Sequence, residues 1–310
     1  MPGALARRAD MLARARAFFA ARGLLEVETP ILSSAAITDP QIESLATDIA
    51  GVGRFFLCTS PEYFMKRLLA AGSGDIYQIA KVFRDGERGR WHSPEFTLIE
   101  WYRLGLDDDG LMTEVEALVA HMLAPHRRLP TAERLTYAAA LLRHAGVDAA
   151  ADDAALDAAI AAHGIHHSGG LDHDARLDLL MSHVVGPRLG VERPCFIHDY
   201  PASQAALARL KPGSPPVAAR FELYLDGIEL ANGFHELADA DEQRSRFAQD
   251  LDTRRARNQV SRPLDERLLA ALAHGIPDCA GVALGFDRLA AIAVGAKTLA
   301  EVMAFSVDRA

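Results

Sequence analysis

Two strand-like runs, Phe221 to Leu225 and Ile228 to Ala231, meet at Asp226-Gly227. A two-residue Asp-Gly connection favours positive φ at both central positions, the turn whose twist suits two antiparallel strands. That hairpin commits the chain to an antiparallel sheet, and the remaining sequence has to supply its partners. Ile76 to Arg84 and Phe96 to Arg103 read as a second antiparallel pair, joined by a polar loop from Asp85 to Ser93. In the later strand Phe96, Leu98, Glu100 and Tyr102 share one face. A carboxylate and a phenol among apolar residues make an odd solvent side but a fitting pocket floor. Phe196 to Tyr200 and Gly281 to Gly285 are further strands, the latter running into a helix from Phe286 to Val294.

Helices flank these strands. Leu5, Met11, Leu12, Ala15, Phe18 and Phe19 recur at helical spacing up to Gly23, a residue that tolerates the left-handed end of a helix. Leu24 to Thr29 then alternates as a strand that Pro30 closes. Thr59-Ser60-Pro61-Glu62 has a helix-start signature, with Ser60 as the cap and Met65, Leu68 and Leu69 as the buried face. From Leu111 to about Val185 the pattern is mainly helical, and Asp239 with Glu242 forms a capping box for a charged helix to about Arg257. No linker or repeat divides the 310 residues, which predicts one α+β domain.

Charge and cysteine usage narrow the function. With 42 acidic against 33 basic residues, a net charge of -9 and no Lys/Arg run longer than a pair, stable binding of nucleic acid is disfavoured. Cys58, Cys195 and Cys279 stand far apart and read as reduced thiols rather than a disulfide frame or zinc site. His163, His166, His167 and His173 lack an ordered ligand motif and read first as a polar loop. The stretch Met1 to Gly23 has no signal-peptide core and no apolar run reaches membrane-spanning length, so a cytoplasmic protein is expected.

Three constellations carry chemistry. Phe83-Arg84, ending one strand beside the polar loop, suits the planar-fork binding of a phosphate, or else is a surface hairpin with a salt-bridged arginine. Glu229 and Glu236 bracket an Asn-Gly bend and can converge on one Mg²⁺ bridging phosphate oxygens, or else face solvent; against the latter, Glu229 lies between Ile228 and Leu230. In Gly281-Val282-Ala283-Leu284-Gly285-Phe286-Asp287-Arg288, a glycine-flanked strand enters a helix whose first turn carries an arginine, calling for a compensating anion or a local Asp287–Arg288 pair. Together the three point to a triphosphate and a metal.

The strand closed by Pro30, the Phe83-Arg84 hairpin and the Gly285-Phe286-Asp287-Arg288 turn resemble the three signature motifs of class II aminoacyl-tRNA synthetases. Within that class, Thr59 to Leu68 and Glu229 to Glu236 look like the lysyl branch. Trp101-Tyr102-Arg103, Pro201-Ala202-Ser203-Gln204, Ala231 to Glu236 and the tail Ala304 to Ala310 are similar to its freestanding paralogues, the ligases that attach (R)-β-lysine to a lysine of elongation factor P. The resemblance implies an antiparallel sheet flanked by helices, a single catalytic domain over 1–310 with a helical insertion at about 105–190, and no anticodon-binding domain. It also implies ATP and Mg²⁺ as cofactors, elongation factor P as acceptor, no stable tRNA binding, no membrane, and a homodimer paired near Pro30.

Carried over by residue, the resemblance places Ser60, Pro61, Glu62, Glu100, Tyr102 and Glu236 on the amino-acid substrate. It places Arg84, Asp85, Gly86, Glu87, Ser93, Glu229, Leu230, Gly285 and Arg288 on ATP, with Glu229 and Glu236 on the metal. Arg84, Arg288, Glu229 and Glu236 would be catalytic. Relatives read Asn-Glu after the arginine where this chain has Asp85-Gly86-Glu87, so either Glu87 takes the carboxylate role through a shifted loop or that contact is lost. Ala283 stands where lysyl-tRNA synthetases carry glycine and would take up room near the α-amine. The alternatives are a ligase joining lysine to a small molecule and a non-catalytic, synthetase-like regulatory protein.

Overall fold

A computed structural model describes residues 2–124, 127–167 and 169–310. The chain opens with α1 (Pro2–Ala20) and β1 (Leu25–Glu26), then a small sheet of β2 (Leu32–Ser33), β3 (Ala46–Ile49) and β4 (Gly53–Leu57). Next come α2 (Glu62–Ala70), β5 (Ile76–Phe83) and β6 (Glu95–Leu104). A mainly helical stretch holds α3 (Asp108–Leu123), β7 (Glu133–Thr136), α4 (Tyr137–Ala145), α5 (Asp153–Ala162) and α6 (His173–Leu180). The last part is β8 (Cys195–Pro201), β9 (Leu210–Lys211), β10 (Val217–Leu225), β11 (Ile228–His235), α7 (Ala240–Ala256), α8 (Glu266–His274), β12 (Cys279–Gly285) and α9 (Phe286–Val294).

The main sheet runs β1-β5-β6-β12-β11-β10-β8-β7, with β9 alongside β10. All its pairings are antiparallel except β1 with β5 and β7 with β8 at the two ends. The β10–β11 turn forms as its dipeptide dictates, with φ of 54° at Asp226 and 74° at Gly227. The sheet's two faces then divide by residue parity. Ile99 and Trp101 of β6, Ala280, Val282 and Leu284 of β12, and Phe221 and Leu223 of β10 pack against α1, α3 and α9 in the largest core cluster. The residues between them face a cleft on the other side.

Several expectations shift. The strand over Leu24 to Thr29 shrinks to Leu25–Glu26, and Pro61 holds the cap position of α2 while the Ser60 hydroxyl accepts the Glu62 amide at 3.4 Å. The short strand β7 interrupts the stretch read as helical, because Glu133–Thr136 pair in parallel with Cys195–His198. Of the insertion placed at about 105–190, α3 belongs by packing to the main core, whereas α4, α5 and α6 form their own cluster against β8; positions 125, 126 and 168 fall outside the described residues. The α3, α4, α5 and α6 helices are capped by Asp107, Thr136, Asp152 and Asp172. The three cysteines are unpaired, and burial raises all three thiols, Cys58 to about 11 and Cys195 and Cys279 to about 12. Among the described residues, no helix is long and apolar enough to cross a membrane.

Candidate active site

Glu229 and Glu236 are seven residues apart, an odd spacing that sends side chains to opposite faces of a regular strand. Tyr224 pairs with Glu229 whereas Leu223 pairs with Ala231, so Leu230 is an extra residue in β11. This bulge reverses the parity, and Glu229, Asn232, Phe234 and Glu236 all line one cleft of about 1270 Å³ measured out to its open mouth. Phe96, Leu98, Glu100 and Tyr102 join them from β6, as do Gly281, Ala283 and Gly285 from β12. Register sets Gly281 between Tyr102 and Phe234, and Ala283 between Glu100 and Asn232. A methyl group on Gly281 would lie 2.3 Å from Cε1 of Tyr102 and 2.5 Å from Oε1 of Glu236, so only glycine lets these two groups approach.

At one end the cleft is dense in charge. Lys66 on α2 is 1% exposed, and its ammonium lies 2.8 Å from Glu62 and 2.6 Å from Glu236. The two carboxylates hold it protonated against the pull of burial. Burial raises Glu236 to about 7, a rise that Lys66 opposes and Glu62 adds to. Glu100 is raised well above the usual carboxylate range, first by burial and then by Glu62, while the Tyr102 hydroxyl donates to it at 2.9 Å. Glu100 Oε2 and Glu236 Oε1 have no hydrogen-bond partner among the described residues.

The other end holds two arginines. Arg84 donates from Nε to the Thr59 carbonyl at 3.4 Å and stands over the Phe96 ring at 5.1 Å. Burial pulls its guanidinium below the ordinary value, and Glu87 and Glu229 counter that. Arg288 donates to the carbonyls of Trp91 and Glu229 at 3.1 and 2.9 Å, and its Nη2 meets His92 Nε2 at 2.9 Å. Burial and then Arg288 lower the imidazole, keeping it neutral and able to accept that bond. Glu229 Oε2, 3.6 Å from Arg288 Nη1, is the anion this helix start called for. Asp287 pairs instead with Arg8 at 2.6 Å and accepts from the Thr97 amide at 2.6 Å, which locks the β12–α9 turn onto α1 and β6.

Of the residues expected in the site, Ser60, Glu62, Arg84, Glu87, Ser93, Glu100, Tyr102, Glu229, Leu230, Glu236, Gly285 and Arg288 line this cleft. Pro61, Asp85 and Gly86 do not: Pro61 caps α2, and the Asp85 side chain accepts the amide of Gly86 while its backbone pairs with Glu43. Glu87 is thus the loop carboxylate that reaches the cleft, 3.5 Å from His92. Glu229 and Glu236, expected to share one metal, stand toward different ends of the cleft, Glu236 against Lys66 and Glu229 near Arg288. Their positions stand about 20 Å apart along an extended strand, and a magnesium ion draws its ligands within about 2 Å. Glu236 is engaged by Lys66, whereas the strongest like-charge influence on Glu229 is Glu222 on β10.

Lys66, Glu222, Arg220 and Asn232 escaped the sequence reading. Lys66 sits four residues after Glu62, a spacing that ordinarily marks a solvated surface pair. Glu222 alternates with Phe221 and Leu223, the same signal of a charge inside an apolar strand that singled out Glu229.

Comparison with known proteins agrees with this geometry. Residues 1–309 match the family model described as tRNA synthetases class II (D, K and N). A protein of Edwardsiella ictaluri (strain 93-146) named elongation factor P–(R)-β-lysine ligase is 48% identical over 319 residues, covering 99% of this chain and 95% of its own. A protein of Salmonella typhi with the same name is 48% identical over 314 residues, with the same two coverages. With its antiparallel sheet, its arginine-bearing hairpin and its β12–α9 turn, the chain belongs to the class II tRNA synthetase family of the D, K and N type.

Proposed function

We propose that this chain uses ATP to activate (R)-β-lysine as its adenylate and then joins it to a lysine side chain of elongation factor P. The names of the relatives support the acceptor and the amino acid. The observation that carries the reading is the charge balance at the deep end of the cleft. There Glu62, Glu100 and Glu236 surround the single ammonium of Lys66. Fully ionised, that set is short of two positive charges, the number a diamino acid brings. Until a cation arrives, burial keeps Glu100 toward its neutral form.

In the first step a carboxylate oxygen of the amino acid attacks the α-phosphorus of ATP. The bond from that phosphorus to the β-bridging oxygen breaks, and pyrophosphate leaves. Arg84 would stabilise charge gathering on the α-phosphate, and Arg288, beside the neutral His92, the γ-phosphate end. Glu229 and Glu222 fit a magnesium ion better than Glu229 and Glu236, since Glu222 raises the cost of ionising Glu229 until a cation joins them. When bound, Mg²⁺ would neutralise phosphate oxygens there. In the second step the neutral amine of the acceptor lysine attacks the activated carbonyl; an amide forms, AMP leaves and the amine gives up a proton.

A homodimer and a cytoplasmic setting complete the proposal. Leu25, Ile31 and Leu32, around Pro30, are exposed apolar residues suited to pairing with a second copy. The acidic balance of the chain disfavours stable tRNA binding.

The experiment is the intact mass of elongation factor P after incubation with this protein, Mg-ATP and (R)-β-lysine, with α-lysine in parallel. A single aminoacyl increment, greater with β-lysine and lost in Arg288→Ala, is expected. Steady AMP formation without an increment would transfer the chemistry to another acceptor, and absence of pyrophosphate release with every amino acid would end the enzymatic reading.

A further inference from the structure

A second cavity lies beyond Arg220, between the helical group and strands β8 and β10. It encloses about 910 Å³ out to its mouth, and Arg220 forms part of the wall of both spaces. Tyr137 at the start of α4, Asp178 on α6, Tyr200 on β8, and Glu222 and Tyr224 on β10 line it. Tyr137 and Tyr200 are 1% and 3% exposed, with ring centroids 4.9 Å apart. Neither hydroxyl closes a well-formed hydrogen bond, Tyr200 having Glu222 and Tyr137 having Gln204 as its near polar neighbour. A phenol oxygen keeps acceptor capacity even where its proton leans toward a neighbour, and two buried ones facing one space mark a place that a polar donor fills.

The surrounding charges limit what that is. Glu222 already accepts from Arg220 Nη2 and from the Tyr224 hydroxyl, both at 2.7 Å. Arg220 is further held by the Gln204 carbonyl at 2.8 Å and lies 4.3 Å over the Tyr200 ring, so it is not free to take an anion. Asp178 accepts a bond from Gln204 Nε2 at 3.1 Å, and burial lifts its carboxyl to about 6. The remaining capacity is one carboxylate and two phenol oxygens, framed by aromatic rings. A primary ammonium has three N–H donors and no acceptor, and it gains from lying against aromatic faces. Magnesium would find too few hard oxygens at Asp178 and the phenols. An anion would meet Asp178 and Glu222 together.

We infer that the cavity bounded by Tyr137, Tyr200 and Asp178 binds a primary alkylammonium group of the lysine side-chain type, separately from the amino-acid end of the main cleft. The inference rests on this cavity and not on the reaction proposed for the cleft. Such a group comes either from a free lysine-like amino acid or from a lysine side chain of a protein.

Tyrosine-selective ¹³C labelling of the full chain tests it. Tyr137, Tyr200 and Tyr102 are assigned by single Tyr→Phe variants, and Tyr102 reports the main cleft in the same spectrum. The titrants are free lysine, N-acetyl-lysine methylamide and N-acetyl-norleucine methylamide. The Tyr137 and Tyr200 signals are expected to move and saturate with one or both lysine compounds and to ignore the norleucine compound. The response should weaken roughly tenfold or more in Asp178→Asn, which removes the charged acceptor and keeps its shape. Movement with the blocked lysine assigns the site to a protein side chain, and movement with free lysine alone to the free amino acid. If Tyr137 and Tyr200 stay still while free lysine saturates Tyr102, or if Asp178→Asn responds like the parent, the inference falls. A response to the norleucine compound overturns it as well. A silent Tyr102 would count against the cleft assignment and leave the second cavity to be decided by its own signals.

Discussion

The ammonium of Lys66 lies 2.6 Å from the carboxylate of Glu236, and both side chains are closed off from solvent. The pair joins α2 to the end of β11 and sets the charge of the substrate end. Replacing Lys66 by methionine leaves Glu62 and Glu236 without their shared cation, and breaking such a buried pair from one side costs about 3–5 kcal/mol. Denaturant unfolding of Lys66→Met measures this. A midpoint equal to that of the parent would mean that the pair contributes no net stability.

Gly281 should tolerate no side chain. The Cβ of Gly281→Ala would press on Tyr102 and Glu236, and such overpacking typically costs about 1–3 kcal/mol. Because both groups belong to the amino-acid end, KM for the amino acid should rise while KM for ATP stays near the parent value. Equal changes in the two constants would argue that the damage is general.

Arg288 combines a buried anchor with an open reach to the cleft, its guanidinium held by two carbonyls and His92. Arg288→Ala should slow amino-acid-dependent ATP–pyrophosphate exchange by on the order of 10²–10³. Arg288→Lys should restore little, since an ammonium cannot hold those anchors in one plane. Full rescue by lysine would reduce the role of this residue to that of a point charge.

Asp250 supplies a pH signature. Burial raises its carboxyl from 3.8 to about 6, although the Thr38 hydroxyl donates to it at 2.7 Å. A carboxyl raised on folding binds its proton more tightly in the native state, so its contribution to stability is present below about pH 4 and is lost as pH rises through about 6. Asp250→Asn, which cannot ionise, should therefore gain stability over the parent between pH 4 and pH 7. Thermal unfolding at both pH values measures the gain; a difference between variant and parent that does not change with pH contradicts the assignment.

Ala283 sits between Glu100 and Asn232 on the cleft floor. Ala283→Gly should open room near the α-amine and raise activity with α-lysine relative to (R)-β-lysine. An unchanged preference, read by pyrophosphate exchange with each amino acid, would place the discrimination elsewhere.

Local signals were legible in the sequence because they act over a few residues. Asp226-Gly227 closes its hairpin, and the strand-to-helix passage at Gly285 is where the sequence puts it. The shared face of Phe96, Leu98, Glu100 and Tyr102 follows from parity alone and lines the cleft. Asp239 caps α7 by accepting from the amides of Asp241 and Glu242. The parallel edges were hidden, since β1 and β7 are short and owe their form to partners distant in sequence.

What the sequence determined by itself was the antiparallel sheet, the polar face of β6, and the residue types for a phosphate and a cationic amino acid, all set by turn chemistry and side-chain alternation. Which carboxylates act together was decided only by tertiary structure. The bulge at Leu230 returns Glu229 and Glu236 to one face yet leaves them at opposite ends of the cleft, Glu236 against Lys66 and Glu229 toward Glu222. Seven residues of separation cannot report this. The pairing depends on one extra residue in a strand and on the approach of α2 and β10, and electrostatic coupling follows distance in space rather than along the chain.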